Sequence, residues 1–368
     1  MAQIQSLTIQ GFKSIRALER FELRPLNVLI GPNGAGKSNF IGALRFLCEL
    51  AGDNFPTFVQ KQGRAAAFLH GGMKRTRKLA FEVYGCPGPT GIRNGYLVAL
   101  ESTNDGRFVI ADESTWISGQ VTPHGSARSL GAGHEQARIR NDATPVGEHV
   151  RAMLRSWRQY HFHDTSEQAA VKQAHPVNDD LRLKTDAGNL AAYLAMLRRD
   201  HPRAYEQIVS TVRLVAPFFG DFVQRDLARD ALIELEWTAR TDPDTPYRAS
   251  ALSDGTLRFV CLATLLLQPA HLQPDTLLID EPELGLHPYA IGVLADLLKQ
   301  VAERRQVIVS TQSVELLNAF APEDVVVVDR IDEETTLRRL DRVALAGWLE
   351  DYTPLGELWL RNVLGGRP

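Results

Sequence analysis

A glycine-rich segment that ends in lysine and serine has the residue types needed to bind nucleotide phosphates. GPNGAGKS, Gly31 to Ser38, lies between an apolar run, Leu26 to Ile30, and a helical pattern from about Ser38 to Leu50. Backbone N–H groups of such a loop surround phosphates, and the helix start adds a favourable dipole. The pattern predicts that Lys37 reaches the β- and γ-phosphates and that the Ser38 hydroxyl ligates Mg²⁺. The predicted nucleotide contacts are Asn33, Gly34, Ala35, Gly36, Lys37, Ser38 and Asn39.

Two adjacent carboxylates, Asp280 and Glu281, follow a second apolar run, DTLLID. Neighbouring residues at a strand end point in different directions, so one can hold Mg²⁺ while the other faces a water molecule. We predict that Asp280 is the metal ligand and that Glu281 is the general base or water-positioning group. Taken alone, an acidic pair after a strand is more often a solvated loop. Its presence on one chain with the phosphate loop favours the catalytic interpretation.

Two further segments have the composition of phosphate contacts. LSDGT, Leu252 to Thr256, opens an apolar helix that extends to about Leu267, and Ser253 alone would be only a good N-cap. Gln312 follows the aliphatic run that begins at Gln306. A glutamine donates a hydrogen bond to phosphate or orients water but carries no proton at neutral pH, so we expect slow turnover.

The elements that must position these residues predict an α/β fold. Near-continuous aliphatic runs at Leu26 to Ile30, Thr276 to Ile279, Gln306 to Val309 and Val325 to Val328 are typical of parallel strands buried on both faces. Shorter runs, Leu79 to Tyr84 and Gly95 to Leu100, predict an antiparallel layer. Residues 119–149 are polar and Gly-rich, which predicts an exposed loop. Residues 165–225 have helical periodicity and predict an inserted helical lid. The predicted division is residues 1–164, 165–225 and 226–368, two lobes of one head around the lid.

Composition limits the function classes. The formal net charge of −3 and the pI near 6.4 give no global reason to bind nucleic acid or an anionic membrane. The longest strongly apolar stretch, Phe259 to Leu267, is about half of a membrane span, and the chain begins without a secretory pattern. Three scattered cysteines indicate reduced thiols. We therefore expect a cytoplasmic protein with no membrane partner.

The order of these segments along the chain resembles the RecF/SMC-like and OLD-type ABC ATPases, in particular stand-alone RecF-like ATPases. The resemblance spans nearly the whole chain. The motifs that carry it are Gly11 to Ser14 (GFKS), Gly31 to Asn39, Tyr160 to Asp164 (YHFHD), Leu252 to Thr256, Asp280 to Pro288 (DEPELGLHP), Ser310 to Ser313 (STQS) and Gly365 to Pro368.

That resemblance implies an ABC-type P-loop ATPase head that uses ATP and Mg²⁺ and dimerises with a second copy when ATP binds. Ser253 and Gly255 would then face the γ-phosphate held by the other subunit, and Glu283 to Pro288 would cross the interface. Lys13 would lie near the nucleotide. Gln312 occupies the place where the family generally has a switch histidine.

Other departures from the family leave parts of the site open. No glutamine has an obvious Q-loop context, and Tyr160 to Asp164 is our substitute, although His161 and His163 could instead form a metal pair with Asp164. Fewer than 40 residues follow Arg330, which leaves no room for an OLD-type nuclease domain, so we expect no cleavage activity.

Three hypotheses for the function follow. The first is an ATP-driven switch in DNA repair or genome maintenance, with DNA or a protein effector as the candidate partner. The second is a sensor or regulatory module of a defence system that controls a separate effector with slow hydrolysis. The third, the nucleotide-binding subunit of a transporter, fits the lid less well. Candidate phosphate contacts are the basic segment Lys74 to Lys78, a proposed helix stripe of Arg151, Arg155 and Arg158, and the lid residues Arg198, Arg199 and Arg203.

Overall fold

The computed structural model describes residues 3–88, 90–119, 125–223, 225, 228, 231–350 and 354–366. Arg367 and Pro368 of the predicted terminal motif lie outside them. The strands are β1 (Ile4–Phe12), β2 (Ile15–Glu22), β3 (Leu26–Ile30), β4 (Lys78–Gly85), β5 (Arg93–Ser102), β6 (Phe108–Ser118), β7 (Ser126–Gly131), β8 (Trp157–Tyr160), β9 (His175–Pro176), β10 (Phe219–Phe222), β11 (Leu232–Ile233), β12 (Glu236–Ala239), β13 (Asp242–Arg248), β14 (Thr276–Asp280), β15 (Gln306–Ser310), β16 (Val325–Ile331) and β17 (Glu334–Arg339). The helices are α1 (Lys37–Leu50), α2 (Phe55–Lys61), α3 (Pro145–Arg155), α4 (Leu190–Asp200), α5 (Pro202–Val215), α6 (Asp254–Leu267), α7 (Pro288–Ala302), α8 (Val314–Asn318), α9 (Ala346–Glu350) and α10 (Leu355–Leu360).

A mainly parallel sheet forms the centre of the fold, in the order β17-β16-β3-β15-β14-β8. Only the β16–β17 pair is antiparallel. The four aliphatic runs form β3, β14, β15 and β16, as the sequence predicts. Their hydrophobicity is continuous because both faces are buried: Val28 and Ile30 pack into one core, whereas Leu29 packs into the other.

An antiparallel sheet, β2-β1-β4-β5-β6-β7, forms a second layer and confirms the predicted one. Helix α1 lies between the two sheets, since its buried residues share one core with residues of both. Phe46 of α1 contacts rings from the antiparallel layer and from the segment before it, including Phe12 at 5.6 Å and Phe81 at 5.5 Å between centroids. The helix that follows the phosphate loop is therefore fixed on two sides.

The lid contains less helix than its periodicity predicts. Helices α4 and α5 cover only residues 190–200 and 202–215, and the preceding residues 165–189 are mostly irregular. The buried Asn189 side chain holds this irregular segment, because it accepts from Lys184 N at 2.9 Å and donates to the carbonyls of Asp179 and Arg182 at 2.7 and 2.8 Å. The Asn189 side chain thus forms hydrogen bonds with three backbone groups of a segment that has no helix. The three-part division of the chain remains a prediction.

The prediction of an exposed loop over residues 119–149 is wrong where the structure has a strand and the start of a helix. Residues 120–124 lie outside the described residues, but Ser126–Gly131 is strand β7 and helix α3 starts at Pro145. Thr144 caps α3, because its hydroxyl accepts from Gly147 N at 3.1 Å. Strand β7 carries no alternating pattern because it is an edge strand with exposed side chains on both faces. Among the described residues, no helix is both long and apolar enough to cross a membrane.

Candidate nucleotide site

The phosphate loop adopts a conformation that only glycine permits at two of its positions. Gly31 and Gly36 have φ of +153° and +113°. A Cβ at Gly31 would lie 2.1 Å from the Val328 carbonyl oxygen, and a Cβ at Gly36 would lie 2.0 Å from Thr335 Oγ1. The loop therefore packs directly on β16 and β17, and its backbone N–H groups are held at the start of α1.

A chain of hydrogen bonds supports this loop from behind. Asn39 Nδ2 donates to Ser14 Oγ at 2.6 Å, Ser14 Oγ lies 2.7 Å from Thr335 Oγ1, and Thr335 Oγ1 donates to the Ala35 carbonyl at 2.7 Å. Because Thr335 uses its proton on Ala35, Ser14 must donate to Thr335. The chain explains the role of the GFKS serine, whereas nothing in the sequence pattern identified Thr335.

Lys37 points into the loop that precedes it. Its Nζ donates to the carbonyls of Gly31 at 2.6 Å and Pro32 at 3.1 Å. Burial lowers the pKa of Lys37, and the carboxylates of Glu281, Asp280 and Glu283 oppose that shift. The ammonium group therefore lies within electrostatic reach of the acidic strand end, where a phosphate would take the place of the two carbonyls.

The sheet register brings the acidic residues to the same edge as the phosphate loop. Asp280 pairs with Ser310, and Ser310 pairs with Leu29. The Ser310 hydroxyl donates to Asp280 Oδ1, and Glu281 N donates to the Ser310 carbonyl at 2.8 Å. Glu281 has φ of +43°, a conformation that costs a non-glycine residue about 1–3 kcal/mol and is concentrated at functional sites.

Gln312 contacts the candidate catalytic carboxylate directly, because its Nε2 donates to Glu281 Oε1. Glu283 contacts the segment that carries Gln312: its Oε1 accepts from Thr311 Oγ1 at 2.6 Å and from Gln312 N at 3.2 Å. Burial raises the pKa of Glu283, and its Oε2 has no partner among the described residues. Glu283 thus supports the segment that carries Gln312, in addition to its predicted place in the interface segment Glu283 to Pro288.

Ser253 and Gly255 stand apart from this cluster. Ser253 caps α6 through a 3.2 Å bond from Thr256 N and is exposed. A Cβ at Gly255 would lie 2.3 Å from the Gly285 carbonyl, so α6 packs closely on the segment after Glu283. No hydrogen bond joins Ser253 to the phosphate loop in the described part of the chain.

Arg258, which sequence reasoning missed, ties three segments together. It donates from Nη1 to the Leu284 carbonyl at 2.9 Å, from Nη2 to the His163 carbonyl at 2.9 Å and from Nε to the Phe162 carbonyl at 3.2 Å. A single arginine within an apolar helix, one turn after a phosphate-type cap, was the signal available in the sequence.

The segment Tyr160 to Asp164 reaches the site through one histidine. His163 Nε2 lies 2.8 Å from the Asp280 carbonyl oxygen. Burial lowers the pKa of His161. No group of three metal-ligating side chains occurs among the described residues, so the alternative of a histidine metal pair with Asp164 has no support there.

Lys13 lies beside α1 with its ammonium group over two rings, 5.8 Å from the Phe12 centroid and 6.0 Å from the Phe68 centroid. Its Nζ is 3.9 Å from the position that a Cβ on Gly42 would occupy. Burial, then the charge of Arg45, lowers its pKa. A role for Lys13 at the nucleotide remains a prediction.

The residues predicted for Mg²⁺ fit that ion. Ser38 is exposed at the first turn of α1, and Asp280 Oδ2 has no protein donor among the described residues. A hydroxyl and a carboxylate oxygen are ligands that Mg²⁺ prefers, with phosphate and water oxygens completing the shell.

Comparisons with known proteins agree with this architecture. The family model described as "AAA domain, putative AbiEii toxin, Type IV TA system" matches residues 26–81 and 107–318. A crystal structure of the SmcHead bound to the C-winged helix domain of ScpA has a TM-score of 0.61 at 18% identity and covers 95% of this chain and 100% of that chain. An Smc head domain bound to the C-terminal domain of ScpA, derived from Pyrococcus furiosus, has a TM-score of 0.60 at 16% identity and covers 96% of this chain and 100% of that chain.

A curated relative, the chromosome partition protein Smc of Desulfitobacterium hafniense (strain Y51), is 49% identical over 45 residues. That match covers 12% of this chain and spans only 4% of the relative's length. The structural likenesses establish an Smc-head fold, and the family model covers well over half of the chain. This chain belongs to the AAA-domain family whose model it matches, and its fold is that of an Smc head domain.

Proposed function

We propose that the chain binds ATP with Mg²⁺ between two copies of its head and hydrolyses it slowly, as a conformational switch. The observation that carries this proposal is the convergence of Lys37, Asp280, Glu281 and Gln312 at one sheet edge, while Ser253 stays exposed on a separate helix start. A second copy of the chain can reach that helix start, whose N–H groups and dipole favour an anion such as the γ-phosphate.

The hydrolytic step uses residues of this chain in distinct roles. Glu281 accepts a proton from the attacking water as the water oxygen bonds to the γ-phosphorus and the bond to the bridging oxygen of ADP breaks. Lys37 and the N–H groups of the loop stabilise the negative charge on the phosphates. Mg²⁺ held by Ser38 and Asp280 would neutralise charge shared by the β- and γ-phosphates.

Slow turnover follows from how Gln312 and Glu281 are paired. The amide of Gln312 donates to one oxygen of the base, so it competes with water for that oxygen until Gln312 turns to the γ-phosphate. A glutamine also cannot carry a proton at neutral pH. Binding of ATP would therefore draw the Gln312 amide away from Glu281 and place the γ-phosphate in the site.

The central test is a Glu281→Gln variant. We expect it to bind Mg-ATP and to accumulate as a dimer in light scattering coupled to size exclusion, because the closed form cannot hydrolyse. Two matched variants separate the steps: Lys37→Ala should lose ATP binding by calorimetry, whereas Ser253→Arg should bind ATP and stay monomeric. A Glu281→Gln protein that remains monomeric with saturating Mg-ATP would contradict the proposal.

The second candidate is a sensor in which ATP occupancy, not turnover, controls a separately encoded effector, as in a defence system. The pairing of Gln312 with Glu281 favours it, and so do two structural relatives, Smc heads bound to domains of ScpA. Steady-state ATPase rates with and without duplex DNA distinguish the candidates. Strong stimulation by DNA supports a switch in DNA repair or genome maintenance and speaks against the sensor.

A further inference from the structure

Two adjoining cavities beside the edge strand β8 lie outside the nucleotide site. The first has a volume of about 540 Å³ and lies between the C-terminal half of α1 and β8, with Arg45 and Trp157 in its wall. The second, of about 700 Å³, is lined by Arg182 and Arg305. Arg155 and Arg158 line both cavities, so the two form one elongated depression, here called the arginine groove. Its arginines are Arg45, Arg155, Arg158, Arg182 and Arg305.

The charge of the arginine groove is only partly balanced. Three carboxylates line the groove, Glu49, Asp53 and Asp275, against its five arginines. Asp53 lies 4.0 Å from Arg155, and Asp275 pairs with Arg305 at 2.7 Å. Arg158 and Arg182 have no side-chain hydrogen bond or ion pair in the described ranges. An excess of guanidinium groups in a concave wall concentrates positive potential and attracts anions.

The arginine side chains converge rather than spreading over the surface. Arg158, Arg155 and Arg45 all act on the Cys48 thiol in the wall of the first cavity, opposing the burial that raises the pKa of Cys48 to about 11. Arg158 and Arg182 likewise oppose the burial that raises the pKa of Tyr160 to about 12.

Each cavity also has a buried donor that lacks an acceptor. Trp157, 3% exposed, lines the first cavity and its indole Nε1–H has no partner among the described residues. Arg305, 7% exposed, lines the second, and its Nε–H also lacks a partner there, although its two Nη atoms donate to Asp275 and Ala270. Both N–H groups are themselves enclosed, so they lie behind the groove wall, and the exposed guanidinium groups are what a ligand in the groove would contact.

We propose that the arginine groove binds the sugar–phosphate backbone of nucleic acid. Guanidinium groups match phosphate oxygens in a planar, two-pronged geometry. An elongated groove with arginines in two connected cavities fits successive phosphates better than one small anion. Trp157 and Tyr160 are buried, and the exposed rings of the groove are the imidazoles of His161 and His271. Contacts to phosphates therefore outnumber surfaces for base stacking, and we expect little dependence on base sequence.

Two of the other predicted basic segments are partly engaged within the fold. The proposed helix stripe does not exist as such, because α3 ends at Arg155 and Arg158 lies on β8. Arg151 is used internally, donating to the carbonyls of Arg140 and Asp142 at 3.1 and 3.0 Å. Arg199 on the lid is paired with Asp180 and Asp200 at 3.4 and 2.8 Å.

The inference rests on the proposed function for a DNA partner, but its test does not need ATP. The probe is a fluorescent 30-base-pair duplex, titrated with the whole protein in anisotropy measurements at several salt concentrations, with and without Mg-ATP. The variant combines Arg155→Gln, Arg158→Gln and Arg182→Gln, all on side chains that reach solvent. The control removes the same charge elsewhere, with Arg225→Gln, Arg342→Gln and Arg361→Gln.

We expect the groove variant to bind the duplex on the order of 100-fold more weakly at 0.1 M salt, since three lost phosphate contacts reduce the slope of log K against log salt by about 2.7. The control should bind as the natural protein does. Equal weakening of both variants, or none in the groove variant, would overturn the inference. So would poly-glutamate competing as well as DNA at equal charge, which would point to an acidic protein segment. A groove variant that loses DNA yet still dimerises with Mg-ATP supports the inference, whereas absent Mg-ATP uptake defeats the proposed function alone.

Discussion

Replacing Arg258 should weaken both the fold and the response to ATP, because this side chain joins α6 to two other segments of the head. Its guanidinium donates to the carbonyls of Leu284, Phe162 and His163 at 2.9, 3.2 and 2.9 Å. Arg258→Met keeps the aliphatic stem but removes all of these donors, and leaves partly buried carbonyls without partners.

The size of the effect follows from those contacts. Hydrogen bonds from a charged donor contribute about 1.5–3 kcal/mol each when buried. Two of these bonds are partly buried and the bond to Leu284 is exposed, so we expect a loss of about 4 kcal/mol. A chain of 368 residues has an unfolding entropy of about 0.8 kcal/mol/K, so the midpoint of thermal unfolding should fall by about 5 °C. Arg258→Lys retains the charge and one or two bonds and should lose roughly half as much.

The expected effect on dimer formation follows from the position of α6. Arg258 fixes Leu284, which lies within the predicted interface segment Glu283 to Pro288, relative to Ser253. Without it, the helix start and that segment no longer present one rigid surface to a second copy. ATP binding to the monomer by calorimetry should change less than twofold, whereas the ATP concentration for half-maximal dimer formation should rise at least tenfold.

Two outcomes of this experiment would refute the reasoning. An unfolding midpoint of Arg258→Met within 1 °C of the natural protein would mean that the contacts contribute little. A lowered midpoint with unchanged dimerisation would mean that Arg258 stabilises the fold but does not align the dimer surface.

Three further changes test separate parts of the structure. Gly36→Ala should lose Mg-ATP binding in calorimetry and lower the free energy of unfolding by about 3 kcal/mol, because its Cβ would lie 2.0 Å from Thr335 Oγ1. The control is Gly34→Ala, which has the backbone strain of a φ of +80° but no atom within 4 Å of its Cβ. Glu283→Gln should stabilise the protein at neutral pH in thermal unfolding: burial raises the pKa of Glu283, so the stability linked to protonation is present below its unfolded pKa and lost as pH rises through the folded pKa. The difference from the natural protein should shrink as pH falls towards the unfolded value, and a pH-independent difference would argue against a raised pKa. Glu113→Gln should cost about 3–5 kcal/mol in chemical unfolding without altering ATP affinity, because the fully buried carboxylate accepts bonds from Tyr96, His134, Arg138 N and Ile139 N, some of which an amide cannot accept.

The parts of the fold that the sequence predicts well are those specified by local pattern. Runs such as Leu26–Ile30 are apolar throughout because both faces of the parallel sheet are covered, and the glycines of the phosphate loop have conformations closed to other residues. Strand β7 escaped detection because an exposed edge strand needs no apolar alternation. Helix α3, by contrast, carried a readable cap at Thr144 and Pro145.

The supports of the candidate site could not be predicted because they depend on segments far apart in the chain. Thr335 reaches the phosphate loop only through the antiparallel addition of β17 to the sheet. Glu283 lies in the turn after β14 and accepts a hydrogen bond from Gln312 N, which follows the neighbouring strand β15. Neither contact leaves a periodic trace in the sequence, whereas the residues that would touch the nucleotide occur in compact motifs.

Strand β8 connects the arginine groove to the candidate nucleotide site. Arg158 lies within the strand, and two residues later Tyr160 pairs with Ile279, the residue before Asp280. The chain then continues to His163, whose Nε2 lies 2.8 Å from the Asp280 carbonyl and whose own carbonyl accepts from Arg258. A ligand that shifts β8 would therefore move His163, which contacts both Asp280, the predicted metal ligand, and Arg258 of α6. Because coupling between two binding sites is reciprocal, any change in ATP affinity caused by nucleic acid in the groove must appear as an equal change in nucleic-acid affinity caused by ATP.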